Sequence, residues 1–171
     1  MAPERAPTLL VVEDEAAQRS LIADILVRAG YAVRQAADVD QALALLDDET
    51  PDVVLCDWRM PGRSGGDLLA EVRGRGLGCG FVVMTAYGSI AHAVDAVRRG
   101  ADDYLGKPFE RDALLLAVQR VLRTRRLEQE NRRLREVPRD RDRFGDLLGT
   151  SPAMQRLYRT VEKLAATDAT V

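Results

Sequence analysis

Acidic residues gather at two places early in the chain. Glu13, Asp14 and Glu15 directly follow the apolar run Leu9-Leu10-Val11-Val12, and Asp57 directly follows Val53-Val54-Leu55-Cys56. Two further reactive groups stand in the same relation to later runs. Thr85 follows Phe81-Val82-Val83-Met84, and Lys107 with Pro108 comes just after Asp103-Tyr104-Leu105. Clustered carboxylates repel one another and resist full ionisation unless a cation sits among them. Oxygen ligands in a half-open site suit Mg²⁺, which keeps several waters and binds one or two carboxylates plus phosphate oxygens. An aspartate is already ionised at neutral pH, so Asp57 needs no general base to attack a phosphoryl group. A metal ion, an ammonium and a hydroxyl would stabilise charge on the phosphoryl oxygens. Phosphoryl transfer needs mostly this positioning and electrostatic help.

Each of these residues has an ordinary reading when taken alone. Acidic residues after a strand suit a helix N-terminus, a lone Thr is usually a cap, and Lys-Pro is usually a turn. The elements that carry them make the set specific. The apolar runs, with a weaker one at Ala32-Val33, are strand length, and the strongest do not alternate, which fits strands covered on both faces. Helical stripes lie between them: Leu21, Ile22, Ile25 and Leu26; Ala42, Leu45 and Leu46; Leu68, Leu69 and Val72; Ile90, Val94 and Val97; then Leu114, Leu115, Val118, Val121 and Leu122. Five strand–helix repeats predict a doubly wound α/β fold with a five-stranded parallel sheet. Such sheets bind ligands beyond the carboxyl ends of their strands, which is where every candidate residue falls.

At these residues the chain resembles the receiver domains of two-component response regulators. The resemblance is carried by Val11-Val12-Glu13-Asp14-Glu15, by Val53 to Gly62, by Met84-Thr85-Ala86 and by Gly106-Lys107-Pro108-Phe109. It extends from Pro7 to about Leu122. It implies a flavodoxin-like sheet of strand order 2-1-3-4-5 and phosphorylation of Asp57 by a sensor histidine kinase. It further implies Mg²⁺ held by Asp14, Asp57 and the backbone carbonyl of Arg59, with Glu13 assisting through a bound water. Thr85 and Lys107 would contact the phosphoryl group, Tyr104 would be the aromatic that turns inward when Thr85 moves, and the Lys107–Pro108 bond would be cis. Two other classes use related parts. A haloacid-dehalogenase-like phosphatase wants a second Asp two residues beyond the first, where this chain has Arg59. A module that works only through protein contacts would not need the acid pair, Thr85 and Lys107 together.

Charge marks the organisation beyond the receiver. Residues 1–122 carry 13 Lys+Arg against 19 Asp+Glu, residues 123–143 carry 9 against 5, and the remainder balances at 3 against 3. The fifth helical stretch runs without Gly or Pro from Glu110 to Val137, with Leu127, Asn131 and Leu134 at coiled-coil spacing. Residues 123–143 therefore read as a dimerising coiled-coil linker ending in a charged hinge. Acidic interleaving by Glu128, Glu130 and Glu136 argues against a DNA-binding basic helix. Residues 144–171, with Leu147-Leu148-Gly149-Thr150-Ser151-Pro152, resemble the opening of the AAA+ domain of sigma-54-dependent activators of the nitrogen-regulator type. No G-x-x-x-x-G-K-S/T loop occurs, so the chain reads as a fragment of a longer activator, without ATPase activity or direct nucleic-acid binding of its own. The partners implied are a sensor kinase, a second copy through the fourth-helix, fifth-strand, fifth-helix face and the coil, and, in the full-length protein, sigma-54 RNA polymerase and promoter DNA.

Composition excludes other classes. Hydrophobic residues at 46% and charged residues at 30% fit an ordinary globular chain with an aliphatic core. No apolar run is long enough to span a membrane and the start lacks a signal-peptide core, so a cytoplasmic protein with no membrane partner is expected. Cys56 and Cys79 lack metal or redox spacing. They read as a small buried hydrophobe and a loop thiol, and Trp58 reads as a loop aromatic or contact surface.

Overall fold

The computed structural model describes residues 5–86 and 90–136, together with two short strands at Arg143–Phe144 and Leu147–Leu148. Five strand–helix units follow in order: β1 (Thr8–Val12), α1 (Ala16–Arg28), β2 (Ala32–Ala36), α2 (Val39–Asp48), β3 (Val53–Asp57), α3 (Gly65–Gly74), β4 (Gly80–Ala86), α4 (Ile90–Arg98), β5 (Asp103–Lys107) and α5 (Arg111–Glu136). The sheet order is β2-β1-β3-β4-β5, with every neighbouring pair parallel. This is the flavodoxin-like sheet expected from the sequence. Among the described residues, no helix is long and apolar enough to cross a membrane.

Two hydrophobic clusters explain why the strands do not alternate. Leu10, Val12, Val54, Cys56, Phe81 and Val83 pack against α2, α3 and Ala96 of α4. Their neighbours Leu9, Val11, Val53, Leu55, Val82 and Met84 pack against α1 and α5. Each strand residue therefore meets a helix on one face or the other. Sealing a side chain of this size stabilises by roughly 1.5–3 kcal/mol.

Several sequence expectations change. Leu21, Val94 and Val97 are exposed, and the small residues Ala23 and Ala96 take the buried positions. A helix lying close to a sheet needs small side chains at the contact, which a search for large aliphatics passes over. Trp58 is buried, with Arg99 over its ring at 5.9 Å. Cys79 lies in the loop between α3 and β4, as expected, but is sealed in the core, and burial pushes both thiols up, Cys56 well above its ordinary value. The compact unit that holds the sheet runs to Leu127. Arg143–Phe144 pairs antiparallel with Leu147–Leu148. Residues 149–171 of the AAA+-like segment lie outside the described residues, as does the side chain of Leu134.

One close approach shapes the sheet edge. A Cβ added to Gly65 would lie 2.2 Å from the Asp57 carbonyl oxygen, and one added to Gly66 would lie 3.1 Å from the Trp58 ring. The glycine pair opens α3, where Ser64 and Asp67 form a reciprocal cap. Only there can the helix sit against the end of β3. Gly65→Ala is expected to cost about 2–3 kcal/mol by urea unfolding, because backbone cannot yield as a side chain does. Gly74→Ala, with nothing within 4 Å, should instead stabilise by about 0.4–1 kcal/mol.

Candidate functional site

The strand register assembles the site. Val12 pairs with Cys56, so Glu13 stands level with Asp57. Asp57 pairs with Met84, and Thr85 pairs with Gly106. Each step across the sheet from β3 to β5 thus moves the functional residue one position along: Asp57, then Thr85, then Lys107. Asp57 and Lys107 are the last residues of their strands and Thr85 the last but one, where the sequence placed them in the following loops. Strand hydrogen bonding fixes their backbones more firmly than a loop would.

Lys107 is the hub. Its Nζ donates to Asp57 Oδ2 at 2.5 Å, to Glu13 Oε2 at 2.6 Å and to Gln18 Oε1 at 2.6 Å. The other Asp57 oxygen, Oδ1, accepts from the backbone N–H of Arg59 at 2.9 Å. Glu13 is 2% exposed and Thr85 4% exposed. Among the described residues the buried Thr85 hydroxyl oxygen has no hydrogen-bond partner, a costly state for a polar group unless it serves a ligand. Carboxylate oxygens of Glu13, Asp14 and Asp57 lie within 4.8 Å of one another. This all-oxygen donor set, partly exposed through Asp14, fits a hard divalent cation.

Charge balance explains the titration behaviour. Burial alone would lower Lys107, but its hydrogen bonds to Asp57 and Glu13 reverse the effect and raise it. Burial raises Glu13, with the pull of Lys107 only partly offsetting it and the Asp57 charge adding to it. One ammonium serves two carboxylates, so Lys107 is held charged while the sealed Glu13 is the least supported anion. Both groups are raised, so both contributions are present in full below the unfolded pKa and lost as pH rises through the folded value. For Lys107 that loss lies above about 10.5. For Glu13 it has begun by neutral pH, so its ionised form there costs stability.

Other candidates are placed as follows. Tyr104 points outward, 51% exposed. The Lys107–Pro108 peptide is cis. Gln18 and Arg19 were missed in the sequence. Arg19 Nη1 donates to the carbonyls of Glu13 at 2.6 Å and Asp14 at 3.3 Å. The signal was their place in the first turn of α1, just beyond the acidic triplet, where side chains can turn back over the strand end.

The comparisons with known proteins agree with this geometry. The response regulator receiver domain family matches residues 9–119. The C4-dicarboxylate transport transcriptional regulatory protein DctD of Pseudomonas aeruginosa is 39% identical over 99% of this chain and 37% of its own length. The regulatory protein AtoC of Escherichia coli is 36% identical over 95% of this chain and 35% of its own. The chain thus spans about a third of these curated relatives. The crystal structure of the receiver domain of NtrX from Brucella abortus is 40% identical, with a TM-score of 0.66, covering 68% of this chain and 98% of that one. A strand-end pocket of three carboxylates, one lysine and one unpartnered threonine, on a 2-1-3-4-5 sheet that this family matches across its length, places the chain among the response regulator receiver domains.

Proposed function

We propose that the domain is a phosphoacceptor switch, phosphorylated on Asp57 by a sensor histidine kinase in the cytoplasm. The observation that carries this is the Lys107 ammonium on Asp57 beside the unpartnered buried hydroxyl of Thr85. An Asp57 carboxylate oxygen attacks phosphorus. The bond from phosphorus to the donor's imidazole nitrogen breaks, its electron pair stays on that nitrogen, and the product is an aspartyl phosphate. Lys107 and Thr85 supply hydrogen-bond donors to the phosphoryl oxygens, and the Arg59 N–H steadies the nucleophile. Asp14, Asp57 and the Arg59 carbonyl would hold Mg²⁺, with Glu13 acting through water. When bound, the ion supplies neutralising charge at the oxygens of the transferred group. The chain is a regulatory acceptor rather than an enzyme with an ATPase of its own.

Output is proposed to run through the face formed by α4, β5 and α5. Val94, Val97, Tyr104 and Leu116 are exposed there, and Leu127 is 59% exposed further along α5. Phosphorylation would shift a pre-existing equilibrium in which Thr85 and Tyr104 move together. Residues 1–122 would form the receiver, 123–143 a dimerising coil and 144–171 the opening of an AAA+ domain. In a full-length protein the unphosphorylated dimer would restrain an ATPase that acts on sigma-54 RNA polymerase at promoter DNA.

Four outcomes are expected. Acetyl phosphate with magnesium should add one phosphoryl group by intact mass, and Asp57→Asn should take none; equal labelling of both would point to another acceptor, and no labelling of either would favour a contact-only module. In chelator, Asp14→Asn should raise Tm by about 2–4 °C. Like charges at this spacing repel by on the order of 1 kcal/mol even in water. The same variant should weaken magnesium binding, followed by Trp58 fluorescence, by at least about tenfold. Finally, deleting the receiver from a full-length relative of this chain should raise basal ATPase activity; silence on deletion would instead mean positive control.

A further inference from the structure

An ammonium has three N–H donors, and all three on Lys107 are engaged, by Asp57, Glu13 and Gln18. In the function proposed above, two of those acceptors have other duties. Asp57 is the nucleophile and a cation ligand, and Glu13 assists the cation. Gln18 has no such second duty. Its amide is neutral, so it accepts a hydrogen bond at any working pH and adds nothing to the repulsion among three carboxylates. It is also braced. Gln18 stands in the first turn of α1, and Arg19 beside it grips the Glu13 and Asp14 carbonyls.

We propose that Gln18 is a positioning residue for phosphoryl transfer: it keeps the Lys107 ammonium at the strand end while Asp57 and Glu13 change partners. The inference rests on the phosphoacceptor reading and deepens it. Gln18 acts through Lys107 and makes or breaks no bond to phosphorus. Without its carbonyl the four-carbon stem of Lys107 would lose its one constant anchor, and the ammonium would spend less time where the phosphoryl oxygens arrive.

The test measures Asp57 phosphorylation by acetyl phosphate with magnesium, across donor concentrations, in four proteins: the unaltered chain, Gln18→Met, Lys107→Ala and the double variant. Met keeps the length of Gln and removes the acceptor. If Gln18→Met melts before the assay temperature, Gln18→Ala takes its place in the same comparison. The expected result is a saturating rate about tenfold lower for Gln18→Met. The half-saturating donor concentration should stay within about twofold. In the Lys107→Ala background the same substitution should cost nothing further, the non-additivity of two groups acting as one. A rate equal to the unaltered chain, or the same loss with and without Lys107, overturns the inference and leaves the phosphoacceptor reading standing. An unaltered chain that takes up no phosphate overturns both.

Discussion

Three carboxylates meet at one sheet edge, and a single ammonium holds two of them together. Without Lys107 the pocket would hold the buried Glu13 and Asp57 as uncompensated like charges, a state in which ionised groups are poorly stable. The lysine spans from the last residue of β5 to Asp57 and to Glu13, 94 positions away in sequence. That bridge partly offsets the burial of Glu13 and places a cation where a doubly charged phosphoryl group would need one. The same contact that makes the resting fold tolerable would therefore prepare the proposed chemistry.

The bridge depends on strand register. One residue of slip in β5 would turn Lys107 to the opposite face of the sheet, and the two hydrophobic clusters make that slip costly by fixing which residues face which helices. Gly65 contributes from the other side, allowing α3 to start against the Asp57 carbonyl. Core packing, helix placement and site geometry are thus one constraint. The small residues at the helix–sheet contacts matter as much as the large ones.

Much of this was legible in the sequence because strand ends concentrate function in this architecture. The unbroken apolar runs marked doubly covered strands, and the residues after them named the pocket: Glu13, Asp14, Asp57, Thr85 and Lys107. Other features were not legible, for identifiable reasons. Leu21, Val94 and Val97 match a helical stripe as well as a core residue does, and periodicity alone cannot tell a buried face from an apolar exposed one. Ala96 and Ala23 carry too little hydrophobic weight to register. Trp58 does lie in the loop after β3, but its burial was not legible because its seat beside Gly66 depends on a close approach in three dimensions. Gln18 was overlooked because an amide in a helix's first turn is ordinary until the lysine it receives is seen.

The most direct measurement is a crystal structure of this chain with magnesium and beryllium trifluoride, a stable stand-in for the phosphoryl group. The account predicts beryllium on an Asp57 oxygen, magnesium between Asp14 and Asp57, and both Lys107 Nζ and Thr85 Oγ1 within hydrogen-bonding reach of fluorine. Beryllium elsewhere, or Lys107 still on Asp57 with the Thr85 hydroxyl left unpartnered, would contradict it.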